Sequence, residues 1–533
     1  MTSCVNSWLN LRKGRGNLKG SSMQKIHANK GRWQLPFMIA VYLCSSWSCA
    51  FGDQQKSALR RHIETIVVIY AENRSFDNLY GLFPGANGIE KQANGKPSNF
   101  ADFKQVDRDG VTPLIKLPAV WNTAGTPDTD NLSFIKALPN SPFRIDAPPG
   151  TLLPDKATPD LVHRFYNNQM QINNGKNNMF AAWSDAGGLT MGNYDGSVMQ
   201  MWKLAQKYTL ADNFFMGAFG GSFLNHFWLI SARTPTYHDA PDNLTSSVEK
   251  QGTTLTLAEN SPASAITGKA IYVADRALTP DGYAVNTIQP PYQPSGIQPA
   301  SGGDAQLADV TKNPLPPQDY KTIGDVLSAK GVDWVWYAGA WNEALQNRGV
   351  MNNSKTSNFQ THHQPFNYFK RFCPTTVAGA QERRIHLKDY RDFQKDIAAG
   401  TLPSVVFYKP QGNLNQHPGY TDVMRGDSHI AEVVGKLQKS PQWKKMAIIV
   451  TYDENGGYWD HVSPPAGDRW GPGSRVPAII ISPFAKTHFV DHTYYDITSI
   501  LKFITKRFEL EPLPGIRPKA GDLTNAFRLS AGK

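Results

Sequence analysis

Two adjacent acids, Asp453 and Glu454, follow directly on the apolar run Met446-Ala-Ile-Ile-Val-Thr-Tyr452. Asn455, two glycines and an Asp460-His461 pair come next. Neighbouring carboxylates repel each other unless a cation or a proton separates them, so this spacing points to metal-assisted chemistry. Glu72 and Asn73 stand in the same relation to the run His62–Tyr70, and carboxylate and amide oxygens both suit a divalent cation. One acid after a strand is as compatible with a turn or a helix cap; two such sites together argue for a cation. In Phe219-Gly-Gly-Ser222-Phe-Leu-Asn-His-Phe-Trp-Leu-Ile230 two glycines precede a serine and an apolar helix follows. Ser222 is thereby an N-cap or first-turn residue. That position also favours phosphate oxygens, and a metal-coordinated hydroxyl there can ionise into a nucleophile. His163, His362 and His363 lie in polar segments, and His429 opens a helix. A lone histidine is more often structural than catalytic. Several together suit a site that holds a dianion and protonates a leaving oxygen.

These residues need a frame. Strand-like runs at 62–70, 208–215, 333–337, 402–408, 446–452 and 476–481 alternate with helix-like runs at 322–330, 428–439 and 495–508. The alternation predicts an α/β fold whose mainly parallel sheet carries helices on both faces. Ligands of such sheets bind just outside the carboxyl ends of the strands, where both acid pairs fall. Segments 94–159 and 235–319 are rich in Pro, Gly, Asn and Asp and read as excursions, lids or a small cap, from a single domain spanning 51–533.

Residues 1–50 differ from the rest. They hold seven Lys and Arg and no acid, then the apolar stretch Leu35–Leu43 and the small-x-small signal Ser48-Cys-Ala50. This predicts a signal peptide, with Met23 as an alternative start. The apolar stretch falls short of the ~20 residues of a membrane span, and Trp47-Ser48-Cys49 fits a lipid-accepting pattern poorly. The expected mature protein is periplasmic or secreted and has no membrane span. Without the leader the formal charge drops from +11 to +4, which gives no argument for a nucleic-acid partner. Cys4, Cys44 and Cys49 leave with it, so Cys373 remains alone and no intrachain disulfide is expected.

The Glu-Asn-Arg-Ser-Phe-Asp start at 72–77, the Gly-Gly-Ser-Phe-Leu-Asn-His middle at 220–226 and the Thr-Tyr-Asp-Glu-Asn-Gly-Gly-x-x-Asp-His-Val-x-Pro-Pro end at 451–465 occur in one order. Together they resemble the bacterial phosphoesterase family that joins phospholipases C with acid phosphatase A, over residues 62–510. The resemblance implies an alkaline-phosphatase-like α/β/α sandwich with one divalent ion at the carboxyl edge of the sheet. Its ligands would be Glu72, Asn73, Ser222, Asp453 and Glu454, with Ser222 as nucleophile. His163, His362, His363 and His429 resemble the family's phosphate-binding and acid–base histidines, and Asp460 and His461 would brace the site. The phospholipase C branch more often carries Thr at the nucleophile, so Ser222 favours an acid phosphatase. In the mechanism this implies, Ser222 attacks phosphorus, the His362-His363 pair protonates the departing alcohol, and water hydrolyses a phosphoserine. The alternatives are a phospholipase C acting on phospholipid and a non-catalytic periplasmic binding protein. Oxygen donors favour Ca²⁺ or Mg²⁺ by hardness, while related hydrolases often use Zn²⁺.

Overall fold

The run Thr65–Ala71 forms strand β1 and is buried along its whole length. Apolar, largely β-branched side chains on both faces suit a strand covered from two sides. Ile66, Val67, Val68 and Ile69 are fully buried, each contributing about 1.5–3 kcal/mol. The computed structural model describes residues 58–529 except 93, 122–137, 251 and 352–357; the expected leader, 1–50, lies outside these residues. In it β1 sits inside an eight-stranded sheet. The other strands are β2 (Thr209–Ala211), β3 (Trp334–Ala338), β4 (Leu387–Asp389), β5 (Val405–Lys409), β6 (Met446–Tyr452), β7 (Ala478–Ile481) and β8 (Phe489–Asp491). Their spatial order is β8-β2-β7-β6-β1-β5-β3-β4, and β7 alone runs against the rest.

Side chains alternate across a strand, so each face of the sheet has its own helices. The main ones are α1 (Phe165–Ile172), α2 (Ser222–Ser231), α3 (Tyr390–Ala399), α4 (Val423–Lys439) and α5 (Ile497–Phe508). On one face Tyr70 donates its hydroxyl to the carbonyl of Asn225 in α2 at 3.2 Å, and α5 packs beside α2. On the other face Tyr337 stacks on Phe393 of α3, and Tyr408 meets His429 of α4. The α/β/α layering and the mainly parallel sheet are as expected.

Several boundaries move, each for a local reason. The expected strand 208–215 splits: only Thr209–Ala211 joins the sheet, and Phe214–Phe215 pairs with Tyr495–Asp496 in a separate ribbon. Asp212 interrupts it, its carboxylate accepting from Asn87 N at 2.7 Å and its carbonyl from Arg475 at 2.8 Å. Helix α4 starts at Val423 rather than 428 because Asp422 caps it, accepting from Arg425 N at 2.7 Å. Asp496 likewise caps α5, which begins at Ile497. Short edge strands β4 and β8 carried no expectation. Among the described residues of 235–319 there are isolated bridges, such as Thr236↔Tyr283 and Leu257↔Tyr272, and two 3₁₀ turns. No helix among the described residues is long and apolar enough to cross a membrane.

Candidate active site

Adjacent strands β1 and β6 run parallel with Ala71 beside Tyr452. The residues that follow each strand, Glu72-Asn73 and Asp453-Glu454, therefore emerge side by side at the same edge. The two loops interlock. Asn73 N and Glu454 N both donate to Asp453 Oδ1, at 3.2 and 2.8 Å, and Gly456 N donates to Glu454 Oε2 at 2.5 Å. Asn73 adopts the left-handed conformation, φ 65, which Asn tolerates better than most residues. Gly456 must be glycine twice over: its φ is +61, and a Cβ there would lie 2.2 Å from the Asn73 carbonyl.

Ser222 is the first residue of α2, with Gly221 as N-cap. Its position also depends on glycine: a Cβ on Gly220 (φ +89) would meet the backbone of Phe165 at 2.5 Å. Ser222 Oγ lies 3.1 Å from Asn73 Oδ1 and 3.3 Å from Glu454 Oε1. One hydroxyl proton serves one of these acceptors, so the other contact needs a proton on Glu454 or a cation between the oxygens. Burial, against the opposing pull of Lys409, pushes Asp453 up to about 6; burial, against that of His163, pushes Glu454 up to about 8. Glu454 in particular is raised far enough to hold a proton at neutral pH, one that an ion could replace. Convergent oxygens, all buried, with raised carboxyls make a donor set that fits a hard divalent cation.

Glu72 is handled differently. Its Oε1 accepts from His363 Nε2 at 2.6 Å and faces Lys409 Nζ at 3.2 Å. Its Oε2 accepts from Asn415 Nδ2 and, at 3.2 Å, from Tyr420 OH. Burial alone would raise this carboxyl, but the His363 and Lys409 charges hold it well below the usual range. Glu72 thus shares the cavity with Ser222 but stands apart from the oxygens clustered on Ser222 Oγ.

The cavity above Ser222 measures about 330 Å³, and its walls include Glu72, Asp160, His163, Arg164, His362 and His417. The four histidines expected from the sequence part company here. His163 faces the cavity, with Nδ1–H donating to Leu161 O at 2.5 Å and Nε2 3.7 Å from Glu454 Oε1. Burial opposes its charge, but Glu454 and Asp160 raise it to about 9. His362 also lines the cavity, and burial holds it well below its ordinary value. His363 is fully buried and turned onto Glu72. His429 is not brought to the site. It accepts from or donates to Tyr408 OH at 2.7 Å and packs on Tyr390. Tyr408 and Lys409 are successive residues of β5 and point to opposite faces, so α4 keeps His429 across the sheet from α2.

Residues without a sequence-level assignment complete the site. His226, one turn after Ser222, donates Nδ1–H to Ser222 O at 2.7 Å and lies 3.8 Å from Asp453 Oδ2. Its i+4 spacing within the Gly-Gly-Ser-x-x-x-His stretch was the available signal. Lys409 bridges Glu72 and Asp453, and its place at the end of a central strand, like those of the two acid pairs, could have marked it. His417 stacks on Tyr420 at 4.3 Å in a loop with no regular pattern.

Asp460 and His461 brace the loops through Arg475, a residue outside the sequence motifs. Arg475 is fully buried and donates to Asp77 Oδ1 at 2.9 Å and Asp460 Oδ1 at 3.0 Å. His461 in turn donates through N and Nδ1 to Asp77 Oδ2, at 2.7 Å each. The clamp ties the segment after β1 to the segment after β6. Arg475→Met strands two buried carboxylates and is expected to cost about 3–5 kcal/mol of stability, measured by denaturant unfolding; a loss under about 1 kcal/mol would contradict this reading.

A model of the Phosphoesterase family matches residues 63–511. Phospholipase C B of Mycobacterium tuberculosis is 25% identical over 508 residues, which cover 88% of this chain and 78% of that protein. The non-hemolytic phospholipase C of Pseudomonas aeruginosa is 31% identical over 172 residues, 26% of this chain and 25% of that protein. Among solved structures, a Vibrio parahaemolyticus protein in the alkaline phosphatase superfamily covers 72% of this chain and 75% of its own, at 11% identity and a TM-score of 0.28.

Proposed function

The chain belongs to the phosphoesterase family and is a phosphoester hydrolase, and on that footing we propose that it hydrolyses phosphomonoesters through a phosphoserine at Ser222, with one divalent metal ion in the site. The observation that carries this is the convergence of Ser222 Oγ with Asn73 Oδ1 and Glu454 Oε1 at the floor of a polar cavity. Asn73, Ser222, Asp453 and Glu454, with Glu72 beside them, are the residues to hold the ion. When bound it supplies charge neutralisation for the phosphoryl oxygens and a lowered pKa for the hydroxyl beside it.

The chain's own groups do the rest. The first-turn N–H groups of α2 point at an incoming phosphate and favour its negative charge. Ser222 gives its hydroxyl proton to Glu454 Oε1, 3.3 Å away, as Oγ forms the bond to phosphorus and the bond to the ester oxygen breaks. His163 and His362 line the same cavity in different charge states, a division that suits an acid and a base. The His163 imidazolium gives its proton to the departing alcohol. Neutral His362 takes a proton from the water that later cleaves the phosphoserine, and Glu454 returns its proton to Ser222 Oγ as that bond breaks. Positioned groups of this kind contribute roughly 10²–10⁴-fold each.

Substrate class rests on the walls. Apart from Gly221, Phe223 and Tyr420 they are polar or charged, whereas a diacylglycerol leaving group needs a larger apolar surface. That favours soluble phosphomonoesters. The second reading, a phospholipase C, is favoured by the relatives of that name. p-Nitrophenyl phosphate is expected to turn over at least about tenfold faster, by kcat/KM, than phosphatidylcholine in mixed micelles, a gap of about 1.4 kcal/mol in barrier. The reverse order would overturn the phosphatase reading and leave the phospholipase. Export to the periplasm or medium, argued from the basic and apolar leader, is part of the same proposal.

A further inference from the structure

We propose that Lys409 is a built-in cation of this site, a positioning residue whose ammonium stands between Glu72 and Asp453 in place of a second metal ion. The inference rests on the metal-dependent reading above. Strands β6, β1 and β5 are neighbours, and their carboxyl ends present Asp453, Glu72 and Lys409 in a row. Lys409 Nζ lies 3.2 Å from Glu72 Oε1 and 3.5 Å from Asp453 Oδ2, and all three side chains are buried. The same ammonium is 5.4 Å from the centre of the Tyr70 ring, a further favourable contact for a cation. A lysine is almost never fully buried unless paired, and this one is paired twice.

Its place explains why Glu72 is separated from the oxygens around Ser222. The remaining neighbours of Glu72 are donors: His363 Nε2, Asn415 Nδ2 and Tyr420 OH. Asp453 is split between two functions, with Oδ1 held by the backbone N–H groups of Asn73 and Glu454 and Oδ2 turned to Lys409. The charges are consistent with this. With the His163 imidazolium set against Asp160 at 3.6 Å, Glu72, Asp453 and Glu454 leave three negative charges in the metal-free form above their pKa values, which one divalent ion and one ammonium cancel; two divalent ions beside Lys409 would leave an excess. Lys409 is not among the residues lining the cavity, so it acts on the ester through the carboxylates it holds.

The test uses the full chain, stripped with a chelator and titrated with Mn²⁺, with bound metal read by elemental analysis and by electron paramagnetic resonance. The wild type is expected to take up one Mn²⁺ with the spectrum of an isolated ion. Lys409→Met is expected to take up a second, with a spectrum broadened by coupling between neighbouring ions. Lys409→Met combined with Glu72→Gln removes one charge of each sign and is expected to return to one ion. A Lys409→Met chain that takes up one ion, or a wild type that takes up two, overturns the proposal. If Lys409→Met does not fold but the double variant folds and binds one ion, charge compensation is supported. If neither folds, Lys409 serves packing and the proposal is overturned. A wild type that takes up no Mn²⁺ overturns the metal reading first, and this inference with it.

Discussion

Ser222→Ala is expected to abolish turnover of a chromogenic phosphate ester, by on the order of 10⁴-fold or more, the scale seen when a nucleophile is removed. The expectation follows from geometry. Ser222 Oγ stands at the positive end of the ten-residue helix α2, beside Asn73 Oδ1 and Glu454 Oε1, and faces the cavity. The other hydroxyls on the wall belong to Thr287 and Tyr420, and Tyr420 is turned to Glu72 at 3.2 Å. Folding should be spared. Gly221, not Ser222, is the N-cap of α2, and the Ser222 hydroxyl is directed at Asn73 and Glu454, so loss of the oxygen costs little beyond those contacts. Unfolding within about 1 kcal/mol of wild type would separate a chemical defect from a structural one. His429→Ala is the matching control: it lies across the sheet, and kcat/KM should stay within about threefold of wild type, under 1 kcal/mol in barrier. A Ser222→Ala enzyme with near-normal rate would end the nucleophile assignment.

Glu454→Gln is expected to remove the metal along with the activity. Even groups that only support a metal ligand typically contribute 10–100-fold in affinity, so loss of a direct carboxylate should cost at least about 100-fold, measured as bound metal after dialysis against a range of ion concentrations. Full occupancy with no activity would give Glu454 a purely chemical role. A pH experiment probes the same cluster. Asp453 is pushed up to about 6, Glu454 to about 8 and His163 to about 9. A group whose folded pKa lies above its unfolded value binds more protons in the folded state between the two, so stability falls as pH rises through that window. The depressed groups, Glu72 and the buried histidines His226, His362, His363 and His417, act below about 6.5 and do not offset this. Metal-stripped chain should therefore lose stability from neutral pH to about 8, and Glu454→Gln should flatten much of that slope. Stripped wild-type chain with a flat profile over this range would argue against a cluster of acids awaiting a cation.

The parts of the site legible in the sequence are those where an abrupt change of chemistry coincides with an element boundary. Met446–Tyr452 is apolar to its last residue and then acidic, so both the strand and the position of Asp453 at its end could be read directly. Ser222 was legible for the same reason, with two glycines on one side and an apolar helix on the other. What escaped depends on non-local pairing. Lys409 looks like an ordinary strand-end lysine until β5 is set beside β1. His226 looks like a core residue of an apolar helix until its ring is found 3.8 Å from Asp453. Arg475 connects residues nearly four hundred positions apart, which no local pattern encodes. His429 shows the converse. Its Gly-Asp-Ser-His context reads as a polar helix start, but the capping bond of Asp422 draws the helix start forward to Val423, and alternation along β5 places the ring on the far face. The antiparallel sense of β7 is invisible for a similar reason, because its residues Ala478–Ile481 are apolar whichever way the strand runs.

The proposed mechanism turns on a covalent bond between phosphorus and Ser222 Oγ. It is tested most directly by acid-quenching the enzyme during turnover of a phosphomonoester and locating the phosphoryl group by peptide mass spectrometry. The predicted result is phosphoserine at residue 222, absent from the Ser222→Ala chain. A phosphoryl group on His163 or His362, or unmodified enzyme at every time point of a burst experiment, would contradict it.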